Sequence, residues 1–428
     1  MNATPPSLPV VLGCIADDLT GATDICSTLV AEGMRTVQIV GVPREDVAVP
    51  DADAVVVALK SRTIPAADAV AQSLSSLRWL QRAGAKHYFF KYCSTFDSRD
   101  EGNIGPVADA LLDALRVGFT IATPAFPETG RTVYQGHLFV GKVPLSESPM
   151  RDHPLTPMRD SNLVRVLGRQ TSHPVGLIDF ATVSTGAQAI VAATQALREK
   201  GIRFAIVDAC NDGHLRAIGE ACASLPLLTG GSGLARGLPG AYRRAGLLRR
   251  PGAAGLLPAT SGAAAVLAGS CSAATLRQVA HYRMSHPSLA LDPATLAADP
   301  QAVDAATNWA LQRLSERPLV YTSASPAEVA QAQASLGAEQ AASVVEVALS
   351  RIAQALVRAG VDKLVVAGGE TSGAVVNALN IRALRIGPPI DPGVPWTSTI
   401  ADRPFALALK SGNFGGDDFF TKALECAP

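Results

Sequence analysis

Short apolar runs alternate with longer stretches of helical period along nearly the whole chain. In the first half the strand candidates are Val10 to Ala16, Ala54 to Ala58, His87 to Lys91, Phe119 to Thr123, Val175 to Asp179, Phe204 to Val207 and Leu225 to Thr229. Helix-like segments lie between them, among them Ala67 to Arg82 and Ala187 to Lys200. Ser184 is a candidate N-cap for the second of these, and Gly201 is well placed just past its C-cap. Alternation of this kind predicts βαβ units, and so an α/β fold built on a mainly parallel sheet flanked by helices.

The rhythm breaks between Pro124 and Pro174, a stretch rich in Pro, Arg, His and Ser with little periodicity. A structureless segment of that length in a compact domain is usually functional or an insertion. Arg249 to Ala265 reads as a linker, being rich in Gly, Ala and Pro. After it the alternation restarts with strand candidates Val266 to Gly269, Leu319 to Thr322, Leu364 to Ala367 and Phe405 to Leu409. The expected organisation is two domains, residues 1–250 and 251–428, in keeping with a chain too long for one ordinary core.

Composition narrows the function. Lys plus Arg and Asp plus Glu are equal at 37 each, so the net charge is zero. Nucleic-acid and polybasic membrane roles need a field of one sign and are disfavoured. The seven cysteines form no C-x-x-C pair and no close Cys/His cluster, which fits reduced thiols in a cytoplasmic protein. No secretory signal and no apolar run of the ~20 residues of a membrane span is visible.

In α/β sheets ligands bind beyond the carboxyl ends of the strands, so the turns that follow strands are where chemistry is expected. Three such turns occur in the second half: Gly269 to Ser272, Gly368 to Gly373 and Lys410 to Gly416. Strand, glycine turn and hydroxyl-rich helix start offer backbone N–H groups and a positive helix end to phosphate. The segment KLVVAGGETSGAVVNALN has this form but no lysine at the turn, so it is not a P-loop. Lys410, at the end of its own strand, is the candidate to supply part of that charge.

In the first half, IADDLTGATD places Asp17 and Asp18 after a strand and before a helix. One carboxylate is enough for an N-cap, which leaves the other to accept substrate hydroxyls, ligate Mg²⁺ or act as a base. Lys91 ends another strand and leads to Asp97; the lysine suits a carboxylate or phosphate and the aspartate could take a proton from an alcohol. Gly230, Gly231 and Ser232 in PLLTGGSGLARG form a further turn whose N–H groups suit a small anion, or else a tight βα turn. No G-x-S-x-G, H-E-x-x-H or G-x-G-x-x-G after a strand is present, which removes the main supports for hydrolase, zincin and Rossmann dehydrogenase readings.

The motifs IADDLTGATD, KYCSTFDSRDEGNIGP, PAFPETGRTVYQGHLFV, HPLTPMRDSNLVRVL, TGGSGLARGL, GSCSAAT, GGETSGAVV and KSGNFGGDDFF together resemble the four-carbon acid sugar kinases, and the 3-oxo-tetronate kinases among them. The resemblance runs from about Val10 to Leu424. It implies an N-terminal acid-sugar-binding domain and a C-terminal nucleotide-binding domain, with the active site in the cleft between them. It implies transfer of the γ-phosphoryl of ATP to the terminal hydroxyl of a four-carbon sugar acid. It also implies that Ser270, the turn Gly368, Gly369, Glu370, Thr371 and Ser372, and Gly412 contact ATP, while Asp17, Asp18 and Lys91 face the acid.

Phosphoryl transfer needs an in-line hydroxyl, neutralised phosphates and little covalent help. The expectation is that backbone N–H groups and Mg²⁺ handle the phosphates, with Ser272 in the same cradle. Asp17 or Asp18 would act as base, with Asp97 behind. Arg131 and the turn at Gly230 to Gly233 would hold the substrate carboxylate. Threonate and erythronate are the alternative substrates, a non-catalytic sugar-acid sensor is the alternative class, and a homodimer is the base-rate oligomer.

Overall fold

The strand Leu12–Ala16 (β1) is buried at all five positions, because it runs through the middle of a parallel sheet covered on both faces. The computed structural model describes residues 10–44, 47, 49–96, 99–152, 156–248 and 254–428. They form two units, Met1–Ala254 and Gly255–Pro428.

In the first unit β1 is followed by Thr36–Val40 (β2), Ala54–Ala58 (β3), His87–Lys91 (β4) and Thr120–Thr123 (β5). Arg131–Tyr134 (β6), His137–Val140 (β7) and Val143–Pro144 (β8) come next, then Val175–Ile178 (β9), Phe204–Val207 (β10) and Leu227–Gly230 (β11). The order β2-β3-β1-β4-β11-β5-β10-β9 is parallel throughout, so all eight carboxyl ends share one edge. The helix Ala66–Arg82 presents Ala69, Ser73, Ser76 and Leu80 at helical spacing as buried positions. It packs so closely on β1 that a Cβ on Gly13 would lie 3.1 Å from Leu80. Leu80 is fully buried, and truncation to alanine would cost about 2–5 kcal/mol.

Two expectations need correction here. Ser184 lies inside a short helix, Phe180–Thr185, capped by Asp179; the following helix Ala187–Glu199 has Gly186 at its N-cap, at φ 111°. The stretch from Pro124 to Pro174 is not structureless. It holds the antiparallel sheet β6-β7-β8 and the helix Leu163–Gln170. Asp208, after β10, accepts from the N–H groups of Gln135 and Gly136 at 2.6 and 2.8 Å. Both turn residues have positive φ, 50° and 71°, the backbone of a type I′ hairpin. The pin is remote in sequence, so local pattern alone did not reveal the hairpin.

The second unit contains Ala263–Ala268 (β12), Ser288–Ala290 (β13), Leu319–Tyr321 (β14), Val361–Ala367 (β15), Ala383–Asp391 (β16), Val394–Thr399 (β17) and Ala406–Lys410 (β18). The linker reading therefore ran too far, since Ala263 to Ala265 already belong to β12. The order is β13-β14-β12-β15-β18-β17-β16, parallel as far as β18 and antiparallel from there. Prolines Pro388 and Pro389 hid β16 from sequence reading; the register shifts between Ile386 and Pro389 absorb them. Trp396 on β17 is buried in the unit's core, its indole N–H bonded to Ala423 O at 2.9 Å.

Candidate functional site

The ends of β1, β3, β4 and β11 are level, with Ala16 opposite both Ala58 and Lys91, and Gly230 opposite Lys91. Asp17, Asp18, Lys91 and the loop after β3 therefore meet at one edge. That loop carries Arg62, a residue sequence reading passed over. Its Nε donates to Asp17 Oδ2 and its terminal nitrogen to Oδ1, both at 2.9 Å, and the same nitrogen lies 3.0 Å from Asp18 Oδ1. The Asn103 amide holds the loop in place by donating to the carbonyls of Ser61, Arg62 and Ile64 at 2.6, 3.1 and 3.1 Å. Arg62 stands after a strand, so the carboxyl-end rule would have found it.

Asp18 is the N-cap of the helix Leu19–Ala31, accepting from Gly21 N–H at 2.8 Å and from the Thr20 hydroxyl at 3.0 Å. Asp17 is the carboxylate that does not cap, and it is gripped by Arg62 rather than left free. A Cβ on Gly21 would collide with the Asp18 carboxylate and the Lys91 ammonium, so this glycine lets cap and cation meet under the first helical turn. Lys91 is almost fully buried and donates to Tyr92 O at 2.8 Å.

The two adjacent carboxyls are pushed apart in acidity. Burial raises Asp17, and the attraction and hydrogen bonds of Arg62 only partly offset it. For Asp18 burial also raises, but Arg62, Lys91, Thr20 and Gly21 together outweigh it and the net shift is downward. Asp24, one turn further along the same helix, is raised by burial against the opposing pull of Lys91 and Ser232. It too escaped sequence reading, although it closes the IADDLTGATD motif.

The remaining first-unit residues fall differently. The Ser232 hydroxyl is fully buried and donates to Asp24. Gly231 N–H is committed to Thr123 O at 3.0 Å. A Cβ on Gly230 or Gly231 would collide with the carbonyls of Thr123 or Pro124. The geometry at this turn is that of a tight βα connection rather than an open anion cradle. Arg131 starts β6, donates to Thr129 O, which lies outside the Asp17 cluster, and keeps a buried Nε without a partner among the described residues. Asp97 lies outside the described residues.

In the second unit Ala268, Ala367 and Lys410 are opposite one another, so the three glycine turns share one edge. Gly269 N–H bonds Ala367 O at 2.9 Å and Gly368 N–H bonds Lys410 O at 2.8 Å. Ser272 Oγ donates to Gly412 O at 2.6 Å, and a Cβ on Gly412 would collide with Ser270 Oγ. Gly368 has φ +128°, and a Cβ there would lie 2.9 Å from Thr371 Oγ1; one on Gly369 would meet nothing within 4 Å. The first intrahelical bond of Gly369–Ala378 is Ser372 N–H to Gly368 O at 2.8 Å. The N–H groups of Gly369, Glu370 and Thr371 thus lie ahead of the helix's own ladder.

Three details differ from expectation. Thr371 and Ser372 are buried, with Thr371 Oγ1 packed against Gly269 and Gly368, so their side chains face inward and the backbone faces out. Lys410 is fully buried and donates to Thr275 Oγ1, Ser411 O and Gly412 O at 3.1, 3.0 and 2.9 Å. It braces the loop rather than projecting toward a phosphate. A cavity of about 990 Å³ opens beside Gly269 and Cys271, lined also by the turn after β14, Thr322 to Ser325. That turn has no glycine, so nothing in its local pattern marks it as a site.

Among the described residues no group of three or more His, Cys, Asp or Glu could hold a metal, and no helix is long and apolar enough to cross a membrane. None of the seven cysteines forms a disulfide.

Residues 12–238 match the model of a sugar-binding N-terminal domain, and residues 265–420 that of a nucleotide-binding C-terminal domain. The chain is 59% identical to the 3-oxo-tetronate kinase of Burkholderia multivorans over 97% of both chains. It is 56% identical to that of Cupriavidus necator, over 97% of this chain and 96% of the other. A crystal structure from Salmonella typhimurium LT2, described as a tRNA synthase, is similar at 46% identity and TM-score 0.89, covering 96% of this chain and 98% of that one. The chain belongs to the four-carbon acid sugar kinase family.

Proposed function

We propose that the protein is an ATP-dependent kinase that phosphorylates the terminal (4-) hydroxyl of 3-oxo-tetronate, giving 3-oxo-tetronate 4-phosphate. The observation that carries this reading is near-full-length likeness to several 3-oxo-tetronate kinases, at 46–59% identity. A nucleic-acid substrate finds no support in a chain with 37 charges of each sign. Seven cysteines without a disulfide suit a reducing, cytoplasmic setting.

Asp17 is the general base in this proposal. Burial makes its carboxylate the better proton acceptor of the adjacent pair, and the Arg62 fork fixes its orientation while each oxygen keeps a lone pair for the attacking hydroxyl. Asp18 stays ionised and keeps Arg62 and Lys91 in place when Asp17 takes the proton. Lys91 is one cation for the anionic acid, and Arg131, with its unpartnered Nε, is a second.

The turn at Gly368 and Gly369 receives the phosphates, its helix start pointing N–H groups and the positive dipole end at them. Ser270, Ser272 and Gly412 form the adjoining wall. Mg²⁺ would arrive on the triphosphate, whose own oxygens and water suit its preference, and would neutralise phosphate charge. Calorimetric titration with ATP separates a kinase from a sugar-acid sensor. Phosphorus NMR of the product identifies the phosphorylated oxygen; a product other than the 4-phosphate overturns the assignment.

A further inference from the structure

Carboxylates outnumber cations at the carboxyl edge of the first unit. Lys91 acts on Asp17, Asp18 and Asp24, and Arg62 acts on Asp17 and Asp18. The acid proposed to bind there is itself an anion, so its arrival adds negative charge to a cluster already short of positive charge. Like charges held close disfavour the ionised state of whichever group is least well supported.

The carboxyls differ in that support. Asp17 is held in the Arg62 fork, and Asp18 accepts from Gly21 N–H and the Thr20 hydroxyl. Asp24 has no guanidinium on it. It lies one helical step beyond Gly21, on the face of the helix Leu19–Ala31 that meets Lys91. Its Oδ2 accepts from the Ser232 hydroxyl, while its Oδ1 is buried with no hydrogen-bond partner among the described residues. A buried carboxylate oxygen without a donor is costly when charged, and protonation at that oxygen removes the cost. Burial already raises the Asp24 carboxyl.

The other ionisable groups around Asp24 do not compete for the proton. β1 to β4 and the short helical turn Ser232–Gly237 pack on its helix. β2 and β3 carry no ionisable side chain. Cys14 on β1, Cys26 on the helix itself and Tyr92 after β4 are all pushed up by burial and stay neutral. His87 and Tyr88 stand at the far end of β4 from Lys91. Arg236 is committed to Asp212 at 2.7 Å and to Glu128. Lys91 donates to Tyr92 O and keeps further N–H groups for a ligand.

We infer that the sugar acid binds together with a proton, taken up from solvent on Asp24 Oδ1 as the acid's carboxylate replaces Asp24 as counter-charge to Lys91. The inference rests on the kinase reading and deepens it. Asp24 is then a positioning residue: ionised, it holds Lys91 in the empty site, and neutral, it releases that cation to the substrate. Acid affinity is full at a pH where Asp24 is protonated with or without substrate. It weakens by up to ~10-fold per pH unit as pH rises between the pKa of Asp24 in the free protein and in the complex.

Calorimetry of 3-oxo-tetronate binding in buffers of different ionisation enthalpy, repeated across pH, reads the proton directly. The wild-type protein is expected to show a buffer-dependent heat that reports uptake. Asp24→Asn mimics the neutral carboxyl, so it should lose the uptake and bind the acid at alkaline pH at least as tightly as wild type. Ser232→Ala removes a donor that favours the ionised form, and should move the uptake to higher pH. Buffer-independent heats in the wild-type protein across pH overturn the inference and leave the kinase reading intact. Uptake that persists in Asp24→Asn, or weaker alkaline binding by that variant, also overturns it, the latter because a merely structural aspartate would behave so. If Asp24→Asn does not fold, an unshifted uptake in Ser232→Ala overturns it. No acid binding by the wild-type protein, with or without ADP, overturns the kinase reading and this inference with it.

Discussion

Arg62 grips Asp17 along one edge of its guanidinium, Nε to Oδ2 and a terminal nitrogen to Oδ1, each at 2.9 Å. A fork of this kind fixes a carboxylate in position and in plane, which a single ammonium cannot do. If Asp17 is the base, Asp17→Asn is expected to lower kcat by ~10² to 10⁴ with little change in the KM for ATP. Arg62→Lys keeps the charge and loses the fork; the expected fall in kcat is up to ~10²-fold. Steady-state kinetics check both, and near wild-type turnover in Asp17→Asn removes that residue from the mechanism.

The same pair sets a pH dependence. Burial raises the Asp17 carboxyl above the ordinary 3.8, so as pH falls the base is protonated before an unperturbed aspartate would be. Asp18, shifted the other way, remains ionised through that interval. The acid limb of kcat/KM is expected above 3.8, and it should vanish in Asp17→Asn alongside the loss of rate. A profile that is flat down to the usual carboxylate range contradicts the assignment.

Neighbouring glycines are expected to fail in different ways. Gly368 sits at φ +128° with Thr371 Oγ1 and Ser270 N close to where a Cβ would lie. Gly368→Ala is expected to lower stability by about 1–3 kcal/mol, read from denaturant midpoints. Gly369 has open space on its Cβ side, so Gly369→Val should fold normally yet raise the KM for ATP by blocking close approach to the backbone. An unchanged ATP KM in Gly369→Val sinks the phosphate-cradle assignment.

Lys410 gives the nucleotide side its own pH signature. Burial lowers its ammonium to about 8, while three oxygens accept from it. A neutral amine has only two N–H groups for those three acceptors. ATP affinity is therefore expected to weaken as pH rises through about 8, with the loop at Gly412 loosening. Lys410→Arg should remove that alkaline limb, because guanidinium does not titrate there. Calorimetric ATP affinities across that range make the comparison, and a limb that persists in Lys410→Arg belongs to another group.

The strands with continuous apolar runs, such as Ala54–Ala58 and Phe204–Val207, were legible because burial on both faces leaves no polar position to confuse the pattern. Turns after those strands were legible as sites for the same topological reason. The hairpin at Gln135-Gly136 was not, because the acceptor that pins it, Asp208, is 72 and more residues away in sequence. Arg62 was missed because its loop lacks glycine, and its role depends on pairing with a carboxylate from another strand. Inward rotation of Thr371, Ser372 and Ser232 likewise follows from packing, which spacing does not encode.

The most direct measurement is ADP release by the wild-type protein, coupled to a spectroscopic readout, with 3-oxo-tetronate, threonate and erythronate in parallel. The expected result is acid-dependent ADP release with the highest kcat/KM for 3-oxo-tetronate. A ketone in place of a hydroxyl leaves polar groups of the site unpaired in the wrong complex, which is the basis of the discrimination. No ADP release with 3-oxo-tetronate, or a higher kcat/KM for threonate or erythronate, would contradict the account.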